Sequence, residues 1–116
     1  MIHQYKHITL LLLLFIAISS SGQYRSEKLR IAENLESTQK FYEAIDAYQE
    51  AIKENATLHE VKYKLAVLND NMGDLNEAIR WYEDIVKNHI YIYPRAEYQL
   101  ALIYKKQGNY QKAIHF

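Results

Sequence analysis

The side chains best suited to metal binding or proton transfer in this 116-residue chain are its five histidines. His3 and His7 are four residues apart, the spacing of two ligands on one helix face. Because they precede an apolar segment at the start of the chain, we interpret them as part of a leader. His59, His89 and His115 are scattered along the sequence, and we therefore predict no metal site and no cofactor.

The other residue types exclude several chemistries. With no cysteine, disulfides, thiolate catalysis, cysteine-ligated zinc and a cysteine-linked lipid anchor are all excluded. Three glycines do not supply a glycine-rich phosphate loop. The 14 basic and 14 acidic residues give no clustered basic surface of the kind that binds nucleic acid. No Ser/His/Asp or paired-carboxylate set recurs, so we predict no catalytic residue, no enzyme and no nucleic-acid partner.

The first 22 residues have the layout of an export signal. An unbroken apolar run of eleven residues, Ile8–Ile18, follows Lys6 and precedes the small residues Ser19–Gly22. As a helix the run spans ~16 Å, about half of the ~30 Å hydrocarbon layer, so it is too short to cross a membrane unaided. We predict a signal peptide over 1–22, cleaved just before Gln23, with an uncleaved anchor as the alternative.

The remaining 94 residues, 23–116, suffice for one folded domain and repeat at an interval of about 34 residues. Ala44, Ala78 and Ala113 are equivalent positions, separated by 34 and 35 residues. The repeat divides the domain into units of about 25–58, 59–93 and 94–116, the last one incomplete.

Each unit has the pattern of two helices. In the second unit, apolar residues recur at three- and four-residue steps on both sides of a turn at Gly73-Asp74. They are Val61, Leu65, Leu68 and Met72 before the turn, and Leu75, Ala78, Ile79, Tyr82, Ile85 and Val86 after it. Gly108-Asn109 forms the matching turn in the third unit, whereas the first unit has Gln39-Lys40, a costlier turn if it requires a positive φ. Pro94 suits the first turn of a helix.

Over about 25–116 this pattern resembles tetratricopeptide repeats. The family pattern has a large apolar residue before a small one, as in Ile31-Ala32, Leu65-Ala66 and Leu100-Ala101, and an aromatic residue three positions later, as in Tyr104. It then has an alanine with an aromatic residue four positions later, as in Ala44 with Tyr48 and Ala78 with Tyr82. The departures are Leu35 and Asn69 at that aromatic position, Lys28, Lys62 and Glu97 at the tryptophan position, and Ala56 and Ile90 at the proline position. The resemblance implies an all-α fold, in which antiparallel helix pairs stack into a right-handed solenoid, an α-α superhelix.

The resemblance also implies that the first helices line a concave groove that binds a peptide or protein. The candidate residues for peptide binding are Tyr63, Val67, Asp70, Tyr98, Leu102 and Lys105, with Leu29, Glu33 and Glu36 at the equivalent positions of the first unit. Tyr63 and Tyr98 are the strongest candidates, because exposed aromatic residues at one register form an apolar strip. The alternative is inter-repeat packing for Val67 and Leu102, and solvated surface for Glu36 and Asp70.

One sub-class of the family binds a C-terminal carboxylate with Lys, Asn and Arg side chains. The equivalent positions here are Leu29, Glu33, Lys64, Leu102 and Lys106, so we predict that this clamp is absent. Charge is nonetheless uneven, with 5 basic and 7 acidic residues in 25–58 but 4 basic and 1 acidic in 94–116. This gradient either steers an oppositely charged partner or is ordinary solvated surface.

The chain stops seven residues after Asn109, which would leave apolar residues of the last helix uncovered: Tyr110, Ala113, Ile114 and Phe116. We therefore expect a fragment or the N-terminal module of a longer protein, similar at this end to exported proteins that continue into a propeller-like and a peptidoglycan-binding OmpA-like domain. The predicted function is an exported scaffold for protein–protein contact, in the periplasm or at the outer membrane, with membrane contact only through the signal or an envelope complex. The alternatives are a spacer that binds nothing, and an enzyme whose active site lies beyond residue 116.

Overall fold

The computed structural model describes residues 25–115, and within this range it contains six α-helices and no β-strand. The helices are α1 (Glu27–Ser37), α2 (Phe41–Glu54), α3 (His59–Asn71), α4 (Leu75–His89), α5 (Ala96–Lys106) and α6 (Tyr110–His115). The all-α prediction is confirmed over this range, where no helix is both long and apolar enough to span a membrane. The predicted signal peptide lies outside the described residues.

The helices pack on one another in chain order, so α1–α2, α3–α4 and α5–α6 form three successive antiparallel pairs. Small residues lie where neighbouring helices cross. Ala32 and Ala66 on the first helices, and Ala44 and Ala78 on the second helices, are completely buried. Helix axes approach closely only where such small side chains face each other, which explains why alanine recurs at these positions.

Larger side chains fill the space beside these alanines. The aromatic and aliphatic residues with the least exposure are Tyr48, Tyr82, Leu65, Ile85, Leu100 and Ile103. In the last helix, Tyr110 and Ile114 are 61% and 79% exposed, as expected, whereas Ala113 is half-buried and packs against the core. Phe116 lies outside the described residues.

All three first helices end in the same Schellman turn, which satisfies their last carbonyl groups. The closing bonds run from Lys40 N to Leu35 O (2.9 Å), from Asp74 N to Asn69 O (2.9 Å) and from Asn109 N to Tyr104 O (2.8 Å). The turn requires a positive φ at one residue, and φ is 84° at Gly73, 77° at Gly108 and 62° at Gln39. The first unit therefore places a glutamine where the other two have glycine.

The start of α5 differs from the sequence prediction for Pro94. The helix begins at Ala96, and Pro94 lies in the preceding turn, which is closed by a bond from Ala96 N to Tyr93 O (3.0 Å). The fixed φ of proline suits the second position of such a turn, so the residue initiates the helix from outside it.

Candidate functional site

The surface formed by the first helix of each pair, α1, α3 and α5, is called here the first-helix face. Three side-chain contacts connect these helices across successive pairs. They join Lys64 Nζ to Glu36 Oε2 (2.7 Å), Lys106 Nζ to Asp70 Oδ1 (3.1 Å), and Tyr63 OH to Gln99 Oε1 (3.0 Å). These contacts connect α1 to α3 and α3 to α5 at three points of the first-helix face.

Glu36 connects three helices through its carboxylate. Besides the Lys64 ammonium of α3, it accepts a hydrogen bond from Tyr48 OH of α2 at 2.5 Å. Burial alone would raise the pKa of Glu36, but the hydrogen bonds from Lys64 and Tyr48 outweigh it and lower the pKa below the ordinary value. The pKa of Tyr48 is raised, first by burial and then by its bond to Glu36. The carboxylate therefore stays ionised and holds the two donors in place.

A cavity of about 400 Å³ lies beside this carboxylate, between α1, the start of α2 and α3. Four apolar or aromatic residues and three polar residues line it: Phe41, Tyr63, Val67 and Leu68, with Glu36, Lys64 and Asn71. Such a cavity suits one apolar side chain of a bound peptide, while Lys64 and Asn71 offer donors to the peptide backbone. We call it the α1–α3 cavity.

Two of the predicted binding residues, Tyr63 and Val67, line the α1–α3 cavity, and both are half-buried. Tyr63 also stacks on Tyr93 with ring centroids 4.5 Å apart, so most of its ring packs inside the protein. Asp70 does not line the cavity; its carboxylate binds Lys106 and so connects α3 to α5.

The predicted residues of α5 lie in a more open environment. Tyr98 is 64% exposed, Leu102 is 39% exposed and Lys105 is exposed. Because Tyr63 is half-buried, Tyr63 and Tyr98 do not form a strip of equal exposure. Leu29, which was expected in the groove, is only 8% exposed and belongs to the core, so the expectation for this residue was wrong.

Sequence reasoning did not select Phe41, Leu68 or Asn71 for the site. Leu68 was placed on the apolar face of α3 and does pack in the core, Phe41 packs against that core, and both also line the cavity. These residues could have been selected from the expected stacking of α1 and α2 on α3, because that stacking places the start of α2 next to the middle of α3.

Comparison with known proteins supports the resemblance to tetratricopeptide repeats over part of the chain. A family model described as "Tetratricopeptide repeat" matches residues 59–88 and 94–116. These two stretches are therefore similar to tetratricopeptide repeats. Residues 25–58, outside that match, form the same helix pair with the same Schellman turn.

Among solved structures, this chain is similar to one described as "Crystal structure of MamA". The two are 30% identical with a TM-score of 0.63, over 76% of this chain and 51% of that chain. This chain thus spans about half the length of the MamA chain. No curated protein sequence matches the present chain.

Proposed function

We propose that this chain is a non-enzymatic scaffold that binds a peptide or protein partner on the first-helix face. Tetratricopeptide repeats generally mediate contacts between proteins, which supports this class of function. The α1–α3 cavity carries the proposal for this chain in particular, because it combines an apolar lining with an ionised rim. Val67 and Tyr63 would contact an apolar anchor residue of the partner.

The size of the cavity sets the expected contribution of that anchor. Burial of one Leu- or Phe-sized side chain contributes about 1.5–3 kcal/mol, or roughly ten- to a hundred-fold in affinity. Tyr98, Leu102 and Lys105 on α5 would extend the contact along the partner. Asp70 would act indirectly, by holding Lys106 and with it the spacing between α3 and α5.

The test is a selection of peptides from a random library against the chain, followed by calorimetric titration of the best peptide. Val67→Lys should lower its affinity at least tenfold, because a charged side chain would occupy the apolar cavity. Tyr42→Ala is the matched control, since Tyr42 is 66% exposed on α2, outside the first-helix face. Failure to select any peptide, or equal affinity for both variants, would contradict the proposed function.

We further propose that the protein is exported, to the periplasm or outer membrane of a bacterial cell. The apolar run Ile8–Ile18, with Lys6 before it and Ser19–Gly22 after it, supports this location. N-terminal sequencing of the protein from its native cell should begin at Gln23. A mature chain that still begins at Met1 would contradict cleavage.

A second role, as a spacer or N-terminal module of a longer envelope protein, is favoured by the exposed apolar side chains of α6. Tyr110 and Ile114 offer a surface against which a further domain, OmpA-like or enzymatic, could pack. A spacer predicts no saturable peptide binding at Val67, so the titration above distinguishes the two roles.

A further inference from the structure

Two histidines that are 30 residues apart in the sequence meet at one end of the central helix pair. His59 is the first residue of α3 and His89 is the last residue of α4, so the antiparallel packing of these helices brings them together. Their ring centroids are 5.3 Å apart and their planes are inclined by 40°. The two histidines are scattered along the sequence, and only the packing of α3 on α4 brings them close.

We propose that His59 and His89 together bind a transition-metal ion, with Zn²⁺ as the representative. In a tetrahedral zinc site the Zn–N distances are ~2.0–2.1 Å, which places two ligating imidazole centres ~5 Å apart. The observed separation of the two rings matches that value. Imidazole ligands favour zinc, copper and nickel over magnesium and calcium, which defines the class of ion.

Tyr93 positions one of the two ligands. Its hydroxyl lies 3.0 Å from Nδ1 of His59. When Nδ1–H donates to this oxygen, the lone pair of His59 Nε2 is left available to a metal ion, an arrangement common around metal-ligating histidines. Tyr93 is itself held by its stacking on Tyr63.

The site would be open rather than closed. Within residues 25–115, no group of three or more His, Cys, Asp or Glu residues is placed to hold a metal ion. The two imidazoles would thus be the only protein ligands from these residue types, and water would complete the coordination. Both histidines are half-buried, so part of each residue remains exposed to solvent.

The test is a calorimetric titration of the full chain with Zn²⁺. The reference protein carries His3→Gln and His7→Gln, so that the two histidines near the start of the chain do not contribute. We expect one Zn²⁺ per chain, no binding of Mg²⁺, and at least a tenfold loss of Zn²⁺ affinity in either His59→Ala or His89→Ala. His115→Ala, in exposed α6, is the matched control and should leave the affinity unchanged.

Tyr93→Phe separates the positioning role from packing, because phenylalanine keeps the stacked ring but removes the hydroxyl. It should weaken Zn²⁺ binding about tenfold. Circular dichroism checks that each variant retains its helices. If His59→Ala or His89→Ala does not, His→Gln at the same position replaces it, with the same expected loss of Zn²⁺ affinity. Absence of Zn²⁺ binding, an equal loss in His115→Ala, or unchanged affinity in both His59→Ala and His89→Ala would overturn the proposal.

Discussion

Gln39 lies in a backbone conformation that the equivalent residues of the other two units reach with glycine. Within residues 25–115 it is the one non-glycine residue with a positive φ, 62°. A side chain disfavours this conformation, so Gln39→Gly should stabilise the protein by about 0.5–1 kcal/mol. The free energy of unfolding in urea measures the change.

The control is Gln107→Gly, the same replacement at a residue with φ −78°, in the right-handed helical region. Glycine gains nothing there and adds flexibility to the unfolded chain, so stability should stay the same or fall. Equal stabilisation by both replacements would contradict the account of Gln39.

The carboxylate of Glu36 makes the fold sensitive to acid. Its pKa in the folded protein is lower than the ordinary value of 4.5, so its stabilising contribution is present above that value and is lost as the pH falls through the folded pKa. Glu36→Gln should be less stable than the parent at neutral pH and should lose less stability on acidification. Urea unfolding at neutral pH and at a pH below the folded pKa measures both effects.

Glu97→Gln serves as the control for acid sensitivity, because Glu97 is exposed on α5. This variant should follow the parent at both pH values. If Glu36→Gln also follows the parent, the carboxylate does not act as described.

At the scale of the helices, alanine at the crossings sets how closely each pair packs. Ala78 is fully buried on α4. Ala78→Leu would overpack this crossing and should lower the free energy of unfolding by roughly 1–3 kcal/mol. Ala56→Leu, at an exposed position in the loop after α2, should change it by less than about 0.5 kcal/mol. Thermal and urea unfolding measure both effects. Equal stability of the two variants would contradict this interpretation.

The helices and their buried faces could be predicted from the sequence because they depend on local periodicity. The spacing of Val61, Leu65 and Leu68 defines one face of α3 wherever that helix lies, and all three are buried. The turn at Gly73 could be predicted for the same reason.

The candidate site could be predicted only in part, because it depends on how side chains meet between helices. Tyr63, predicted as an exposed aromatic residue, is half-buried because its ring packs against Tyr82 and stacks on Tyr93, a residue of the loop after α4. Periodicity within a helix carries no information on that contact. The approach of His59 to His89 depends likewise on the antiparallel packing of α3 on α4.

At the scale of the whole described region, the three helix pairs form one row in which each pair contacts its neighbours. Stability in such a row comes from the pairs and from the surfaces between them. The bonds from Lys64 to Glu36 and from Lys106 to Asp70 cross those surfaces on the first-helix face. The same bonds that join the pairs therefore also shape the proposed binding surface.

The most direct test of that surface is the map of backbone amide shifts in ¹⁵N-labelled protein as a selected peptide is added. The account predicts saturable shifts concentrated around the α1–α3 cavity, at Phe41, Tyr63, Val67 and Asn71, and extending to Leu102 on α5. Shifts concentrated instead on the outer surfaces of α2 and α4, around Tyr42 and Arg80, would contradict it.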